Sequence, residues 1–454
     1  MKKYDLGWLI LSPDFYMSPK IRAINQLDGN KTVEDYFEEI NDTMAVLSEE
    51  EAAVCYDLTH SLGNFFNYGD TVKQIDSMKK IGRPGDFAIS RLRSYLKEMA
   101  IIPSNSIPQL FSTEYVIYRA KNLNTFSEKS LFVFCLSNQV QTILKYSQYG
   151  TEHPRFYEFV LNSLPIPQAI ISLNEILTRI INNALMLNDK SNNLYSKAEQ
   201  ILLSELGFLN WEPNHSLSFI KNFSDTQASE RIDAEYFQPM YEEIVKRIKQ
   251  YKNGCVSLDK IVKIKDRNFQ PKDEVTYRYI ELANISANGN INGCIETQGR
   301  ELPTRARRKV NVGDVIVSTI EGALSSIALI TEDLDNGLCS TGFFVITSEK
   351  TNSETLLVLL KSPIGQLQLK KGCSGTILTA IGDDEFKRIV LPDLPANIQK
   401  DIKNKIIEMY NAKALSKRLL DIAKCGAEMA IEKNGKDAQV WIEAELKRLS
   451  FCLD

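Results

Sequence analysis

Short runs such as "DVIVST", "SIALIT" and "GFFVIT" are rich in Val, Ile, Phe and Thr and are bounded by Gly or polar turns, a pattern that predicts strands. After Pro167 the period changes. In the stretch from Gln168 to Leu206, Ile170, Leu177, Ala184, Ser191 and Ala198 fall every seventh residue, with Leu173, Ile180, Leu187, Leu194 and Ile201 interleaved. This is an a/d seam sustained over about five heptads, and at ~1.5 Å per residue it predicts a helix about 55–60 Å long. A second such segment follows Pro395, with a looser stripe through Ile402, Ile406, Met409, Ala412, Leu419 and Ala423. Polar residues flank so narrow a stripe that a helix–helix seam is expected rather than a surface helix lying on its own globule. Each half of the chain thus reads as a mixed α/β globule followed by a long helix, and two such helices can satisfy both seams by packing antiparallel about a pseudo-twofold axis.

The two halves also share words. Residues 84–102, "PGDFAISRLRSYLKEMAII", match residues 312–330, "VGDVIVSTIEGALSSIALI". Gly85 pairs with Gly313, and Ser112-Thr113 with Ser340-Thr341, both at an offset of 228. Pro167 pairs with Pro395 at the same offset, and Gly150-Thr151 with Gly375-Thr376 at 225. Upstream, "DFYMSP" (14–19) echoes "AEYFQP" (234–239) at 220. The pattern is a tandem duplication of a unit of roughly 225 residues.

Composition adds limits. At 454 residues, with 43% hydrophobic and 25% charged residues, the chain is long enough for two or more soluble domains. No apolar run approaches the ~20 residues needed to span a bilayer, and the expected location is cytoplasmic. The 8 cysteines contain no CxxC pair and the 3 histidines are scattered, which points to reduced thiols and to no metal site. The net charge of -4 argues against binding nucleic acid by electrostatics alone. Its distribution is uneven. From Thr32 to His60 there is no Lys or Arg among Glu34, Asp35, Glu38, Glu39, Asp42, Glu49, Glu50, Glu51 and Asp57, whereas basic residues gather in Lys73–Lys97, which runs into the first copy of the repeated phrase, and in "RELPTRARRK" (300–309), immediately before the second copy.

The strings "RIDAEYFQPMYEEI", "YRYIELANIS", "VGDVIVSTIEGALSSIALI", "STGFFVI" and "GCSGTILTAIGDDEFKRIVLPDLPANIQKDI" resemble, in this order, the specificity (S) subunit of type I restriction-modification systems. The resemblance is close over about 200 residues of the second half. The first half keeps "PGDFAIS", "STEYVIY" and "YGTEHPRFYEFVLNSLPIP" but shows no counterpart of "YRYIELANIS" in its acidic stretch. The resemblance implies an α/β fold with two target-recognition domains (1–167 and 225–395) separated by two long helices (168–210 and 396–454) in an antiparallel coiled coil. It implies a non-catalytic subunit whose domains each read one half of a bipartite double-stranded DNA target. The helices set the gap and dock two copies of an adenine-N6 methyltransferase (M) subunit, and a restriction (R) subunit joins for cleavage. S-adenosylmethionine, ATP and Mg belong to those partners, with no cofactor in this chain.

Two readers on one face of a duplex lie about a helical turn apart, ~34 Å, and unlike readers select unlike half-sites. The segments after Gly-Asp are the expected reading loops, placing Arg91, Arg93, Ser94, Tyr95 and Lys97 in one and Thr319, Glu321, Ser325 and Ser326 in the other. Arg can pair bidentately with guanine, and Glu accepts from cytosine N4. Arg305, Arg307, Arg308 and Lys309 are expected at phosphates, which position without specifying. Lys371, Ser374 and Thr376 lie in the Gly-rich "KKGCSGT", which can approach the backbone. No Asn/Asp-Pro-Pro-aromatic motif and no GxxxxGK[ST] loop is present, so neither methyl transfer nor a motor is expected of this chain. Two alternatives stay open. One is a helical scaffold with two protein-binding globules and no DNA binding. The other is a metal nuclease built on Asp383, Asp384, Glu385 and Lys387 or on Asp14.

Overall fold

The computed structural model describes residues 12–48, 51–67, 69–122, 125–265, 267–286, 288–375 and 379–453. By its contacts the chain divides into two compact units, Met1–Asp189 with Lys413–Asp454, and Lys190–Ala412. Both boundaries fall inside long helices, Asn174–Glu205 and Ala396–Glu432, so each unit contains a stretch of each helix.

In the first unit, a four-stranded antiparallel sheet orders Phe37–Ile40, Tyr115–Ala120, Phe87–Ser90 and Met99–Ile101. Its inner strands Tyr115–Ala120 and Phe87–Ser90 are apolar at most positions because both faces are covered, whereas the edge strand Phe37–Ile40 carries Glu38 and Glu39. Phe87, Ile89, Met99, Ile101, Val116 and Tyr118 enter one core with the helices, while Ala88, Ala100, Tyr115 and Ile117 enter a second core. That second core belongs to a five-stranded sheet of order Thr43–Met44, Lys79–Ile81, Gln109–Phe111, Ala53–Tyr56 and Asp70–Val72, in which Ala53–Tyr56 and Gln109–Phe111 run parallel.

In the second unit, a four-stranded antiparallel sheet orders Val262–Ile264, Phe343–Ser348, Val315–Ser318 and Ile327–Leu329. Alternation again divides it between two cores, with Val315, Val317, Ile327 and Leu329 on one side and Ile316, Ala328 and Ile330 on the other. Ile327, Leu329 and Ile330, at the end of the repeated phrase, are all buried. A further four-stranded sheet orders Ile295–Gln298, Thr276–Ile280, Leu338–Ser340 and Ala306–Lys309, with Thr276–Ile280 parallel to Leu338–Ser340.

The shared phrase has a mechanical explanation in each unit. Gly85 and Gly313 stand at φ of +93° and +84° in a left-handed turn, and each donates its N–H to an isoleucine carbonyl, Ile102 O and Ile330 O, at 2.9 Å. The following aspartates, Asp86 and Asp314, accept the Arg83 and Asn311 N–H groups at 2.9 and 2.8 Å and are almost fully buried. Burial demands a counter-charge. Arg119 supplies it bidentately in the first unit, at 2.8 and 2.7 Å, and Lys265 in the second, at 2.8 Å to each oxygen.

Sequence analysis found no first-half counterpart of "YRYIELANIS", but the first unit contains one. The strand Ala53–Tyr56 and its short 3-10 turn Leu58–Ser61 follow the plan of Thr276–Ile280 and Leu282–Asn284. In each, the last residue of a capping box accepts an N–H, Asp57 N to His60 Nδ1 at 2.9 Å and Glu281 N to Asn284 Oδ1 at 2.7 Å. Substitution of His for Asn hid the match. The acidic stretch is thus largely ordinary structure, with Asp35 capping the turn Val33–Tyr36 and Asp57 paired to Lys79 at 3.8 Å.

The helices depart from expectation in two places. The predicted helix from Gln168 is interrupted at Leu173, between Gln168–Ser172 and Asn174–Glu205, where Asn174 Oδ1 is drawn to Ser127 N and Ser130 Oγ at 2.9 and 2.8 Å. The C-terminal segment is two helices, since Asn434 caps a separate one, Gly435–Arg448, and Gly426 lets Ile442 come so close that a Cβ there would lie 2.5 Å from it. Within the first unit the long helices run antiparallel, with Ser416 Oγ donating to Ala184 O at 2.6 Å and Lys413 Nζ to Asn188 Oδ1 at 2.8 Å. Leu177, Ile180 and Ala184 share a core with Leu419, Ala423 and Ala427 and also with the globule's Phe132 and Val133. The stripe therefore serves both surfaces at once. In the second unit Leu194, Ala198 and Leu202 share a core with Ile402, Ile406 and Met409. No helix among the described residues is long and apolar enough to cross a membrane.

Nothing lies within 4 Å of a Cβ built on Gly85, and only Ser353 Oγ, at 3.9 Å, near one on Gly313. Gly85→Ala and Gly313→Ala therefore test backbone strain alone. Each is expected to cost about 1–2 kcal/mol in urea unfolding, with Asn at the same position recovering part of the loss; an unchanged midpoint for both would overturn the assignment of the turn.

Candidate nucleic-acid interface

Three segments meet beyond the end of each central sheet, and their backbone bonds coincide between units. In the first, Arg91 N donates to Glu114 O at 2.9 Å, Phe156 N to Arg91 O at 3.0 Å and Arg93 N to Pro154 O at 2.7 Å. In the second, Thr319 N donates to Gly342 O at 2.9 Å, Ile381 N to Thr319 O at 2.8 Å and Glu321 N to Thr379 O at 3.0 Å. The recurrent serines hold these segments. Ser90 Oγ accepts from Leu92 N and Ser318 Oγ from Ile320 N, at 3.2 and 3.1 Å, while Ser112 and Ser340 accept from Glu114 N and Gly342 N, at 3.3 and 3.2 Å. Hydroxyls satisfy amides that a loop leaving a sheet would otherwise strand.

On this common frame the side chains differ. In the first unit Arg91 is already engaged, with Nη1 donating to Glu158 Oε1 at 2.6 Å and Nη2 to Glu114 Oε2 at 3.4 Å. Arg155 closes on the same Glu114, with Nη2 2.6 Å from Oε1 and Nε 2.9 Å from Oε2. Ser94 is buried and receives Gln148 Nε2 at 2.6 Å. Arg93 and Lys97 hold left-handed backbone angles, φ of +47° and +53°, and burial lowers the Lys97 pKa, with Lys424 adding to the effect and Glu428 opposing it. Tyr95, 61% exposed, and beside it Leu96 are the open side chains of this loop.

In the second unit Thr341 N donates to Arg305 O at 2.8 Å, which ties exposed Arg305 to the segment whose Gly342 O receives Thr319 N. Ser325 and Ser326 lie at the far foot of the loop, Ser325 exposed. The basic cluster does not share one face. A β-bulge between Ala306 and Arg308 leaves Arg307 out of the pairing, and Arg307 donates to Thr304 O and Gln270 Oε1 at 2.9 and 3.1 Å. Arg308 is half-buried, with Nε and Nη1 lacking a hydrogen-bond partner among the described residues, and Lys309 lies 5.7 Å from the Phe269 ring. Lys371 is set back, its ammonium 4.7 Å from the Tyr236 ring and its pKa lowered by burial. Ser374 is exposed, and Thr376 lies outside the described residues.

Of the residues considered for a nuclease, Asp383 is paired to Lys387 and Glu385 to Arg388 on or beside one short helix, Asp383–Lys387, while Asp14 lies in a separate turn, Pro13–Tyr16. Among the described residues no cluster of His, Cys, Asp or Glu is arranged to hold a metal ion. Sequence reasoning missed Glu114, Arg155 and Glu158. The repeat contained the signal, because Glu114 and Arg155 stand where Gly342 and Ala380 stand, a coordinated gain of opposite charges in one copy only.

No family model and no curated protein matches this chain. Among solved structures it is similar to the HsdS subunit from Thermoanaerobacter tengcongensis, at 15% identity, covering 90% of this chain and 100% of that one with a TM-score of 0.28. It is also similar to the type I restriction-modification S subunit from M. genitalium, at 14% identity, 92% and 99% coverage and a TM-score of 0.36. A third chain, from a structure describing assembly and conformational transition of the type I R-M system, shows 14% identity, 91% and 98% coverage and a TM-score of 0.28.

The hydrogen-bonded Arg155 guanidinium, aided by Arg91, holds the Glu114 carboxyl below its ordinary value of 4.5. A depressed carboxylate contributes stability above its unfolded pKa and loses it as pH falls through the folded one. The urea midpoint of the wild type is therefore expected to exceed that of Glu114→Gln at about pH 6 and to converge on it by about pH 3. A gap that persists unchanged would show that charge is not what Glu114 contributes.

Proposed function

We propose that this chain is the DNA-specificity subunit of a type I restriction-modification complex. Each unit reads one half of a bipartite, asymmetric target in double-stranded DNA. The long helices set the gap between the halves and dock two adenine-N6 methyltransferase subunits, to which restriction subunits add cleavage. The chain itself is non-catalytic, and S-adenosylmethionine, ATP and Mg act in the partners. One observation supports this reading above the others: two loops of unlike side chains, Arg91–Lys97 and Thr319–Ser326, leave the same frame of backbone bonds. Equal frames with unequal loops are what a reader of two different half-sites requires, since direct readout depends on side chains and not on the scaffold that presents them.

Within this reading the assignments sharpen. Thr319, Glu321, Ser325 and Ser326 are proposed at bases of one half-site, with Tyr95, Arg93 and Lys97 at the other. Arg91 and Ser94 brace their loop from within. Arg305, Arg307 and Lys309 are proposed at phosphates beside the second half-site, together with Lys371, Ser374 and Thr376, while Arg308 supports them from the sheet.

Co-expression with the methyltransferase subunit of the same genome, followed by single-molecule sequencing of N6-methyladenine, is expected to show one bipartite motif with unlike halves. A stable complex that writes no motif would favour a protein scaffold instead. In the reconstituted complex, Arg305→Ala with Arg307→Ala is expected to weaken binding about equally across sequences and to lower the salt slope by about 1–2. A loss confined to one base would reassign these residues to base reading.

A further inference from the structure

The two loops return to their sheets through the same tight turn. Ile327 N donates to Ser325 O at 2.8 Å and Met99 N to Lys97 O at 2.9 Å, tight bonds between residues two apart. One residue further on, Ser318 N meets Ser326 O and Ser90 N meets Glu98 O, at 3.1 and 2.8 Å. Ser325 O and Lys97 O are thus matching carbonyls at an offset of 228, each at the foot of a loop. Each also receives a side-chain donor, but from a different part of the fold.

In the second unit the donor is Lys361, the last residue of the helix Ser353–Lys361, whose Nζ lies 2.5 Å from Ser325 O. Its neighbour Gln366, on the helix Pro363–Lys371, donates to the preceding carbonyl, Leu324 O, at 3.2 Å. The helical hairpin thereby grips two consecutive carbonyls of the loop. In the first unit Leu136, the last residue of the matching helix Glu128–Leu136, occupies the place of Lys361 and is buried in the core. The donor there is Asn64, at φ of +68° in the turn after the parallel strand, with Nδ2 2.8 Å from Lys97 O and 3.2 Å from Met99 O.

We propose that Lys361 and Asn64 are positioning residues for the two reading loops, each fixing its loop by capping the same carbonyl and so controlling the specificity of one half-site without contacting DNA. The proposal rests on the DNA-reading role assigned to the loops. Its physical basis is that a carbonyl at a tight turn has one lone pair taken by the backbone and a second that faces the fold. Burial lowers the Lys361 pKa to about 7, and its amine donates an N–H whether or not it is charged, so losing the donor leaves the carbonyl unsatisfied. The loop then gains freedom to present its crest differently, which degrades discrimination more than affinity because base readout demands fixed geometry while phosphate contacts tolerate movement.

The test uses the complete complex with its methyltransferase subunits and reads both the methylated motif and amide hydrogen exchange. Lys361→Met keeps the aliphatic stem and removes the donor. It is expected to relax base choice in the second half-site by about tenfold at one or more positions, to leave the first half and the gap unchanged, and to speed exchange in residues 319–327. Lys361→Arg should restore discrimination. Asn64→Gly, which keeps the left-handed backbone, should relax the first half only and speed exchange in residues 91–99. A wild-type complex with an intact motif and a Lys361→Met motif of equal stringency would overturn the proposal, as would methylation reduced evenly at all sites. A wild-type complex that writes no motif overturns it through its premise, and this outcome is distinct because it precedes any substitution.

Discussion

A sheet buried on both faces can present chemistry only at its ends. That constraint governs both units of this chain. The strands Phe87–Ser90 and Val315–Ser318 divide their side chains between two cores, so no position along them is free to meet a ligand without unmaking a core. Polar groups emerge where the strands stop, and there every amide of the departing loop needs a partner. Ser90, Ser112, Ser318 and Ser340 supply part of that need. The loops are consequently rigid at their roots and variable at their crests, a division that suits recognition.

The buried aspartate of the Gly-Asp turn shows how such a frame tolerates change. Asp86 and Asp314 occupy equivalent places, yet one is neutralised by Arg119 of the neighbouring strand and the other by Lys265 just past the edge strand. What is held constant is the compensation of a buried charge, not the residue that performs it. The capped carbonyls Lys97 O and Ser325 O follow the same rule, with Asn64 and Lys361 as different donors. Around the edge strand the signs reverse outright: Glu38 pairs across to Arg119, and Lys263, its counterpart, pairs across to Thr347. Surface charge is free to diverge where the core is satisfied by other means.

This pattern explains what the sequence revealed and what it hid. The glycine, the aspartate and the serines of the repeated phrase were legible because each meets a backbone requirement that few other residues meet. The seven-residue stripes were legible because burial acts on every turn of a helix, although the interruption at Leu173 was not, since it depends on Asn174 reaching Ser127 and Ser130 far from it in sequence. The strand Ala53–Tyr56 was missed because its capping residue is His60 rather than an asparagine, two side chains that can both accept the same N–H. Arg91 was assigned to DNA because a lone arginine in a loop carries no sign of the Glu114 and Glu158 that engage it. Ion pairs between distant segments are set by the fold, and a single sequence shows them only when a repeat supplies its own comparison.

The internal neutralisation of the first loop has a consequence for how an acidic chain can approach DNA. Arg91 and Arg155 share Glu114, and Arg91 also pairs with Glu158, so the cluster adds little positive potential at its surface, and what remains open at the crest is the aromatic ring of Tyr95 with Leu96 beside it. The second unit keeps Arg305 and Lys309 exposed beside a loop whose own residues are Thr319, Glu321 and Ser325. Under the proposed function, two loops built in this way would divide attraction and reading unequally. One side offers shape and apolar contact, such as a thymine methyl accepts, while the other offers charge for phosphates and hydrogen-bonding groups for bases. Counterion release supplies a large share of protein–DNA affinity irrespective of sequence, so under the proposed function a chain with this little positive charge at its loops depends on its partner subunits to be held on DNA.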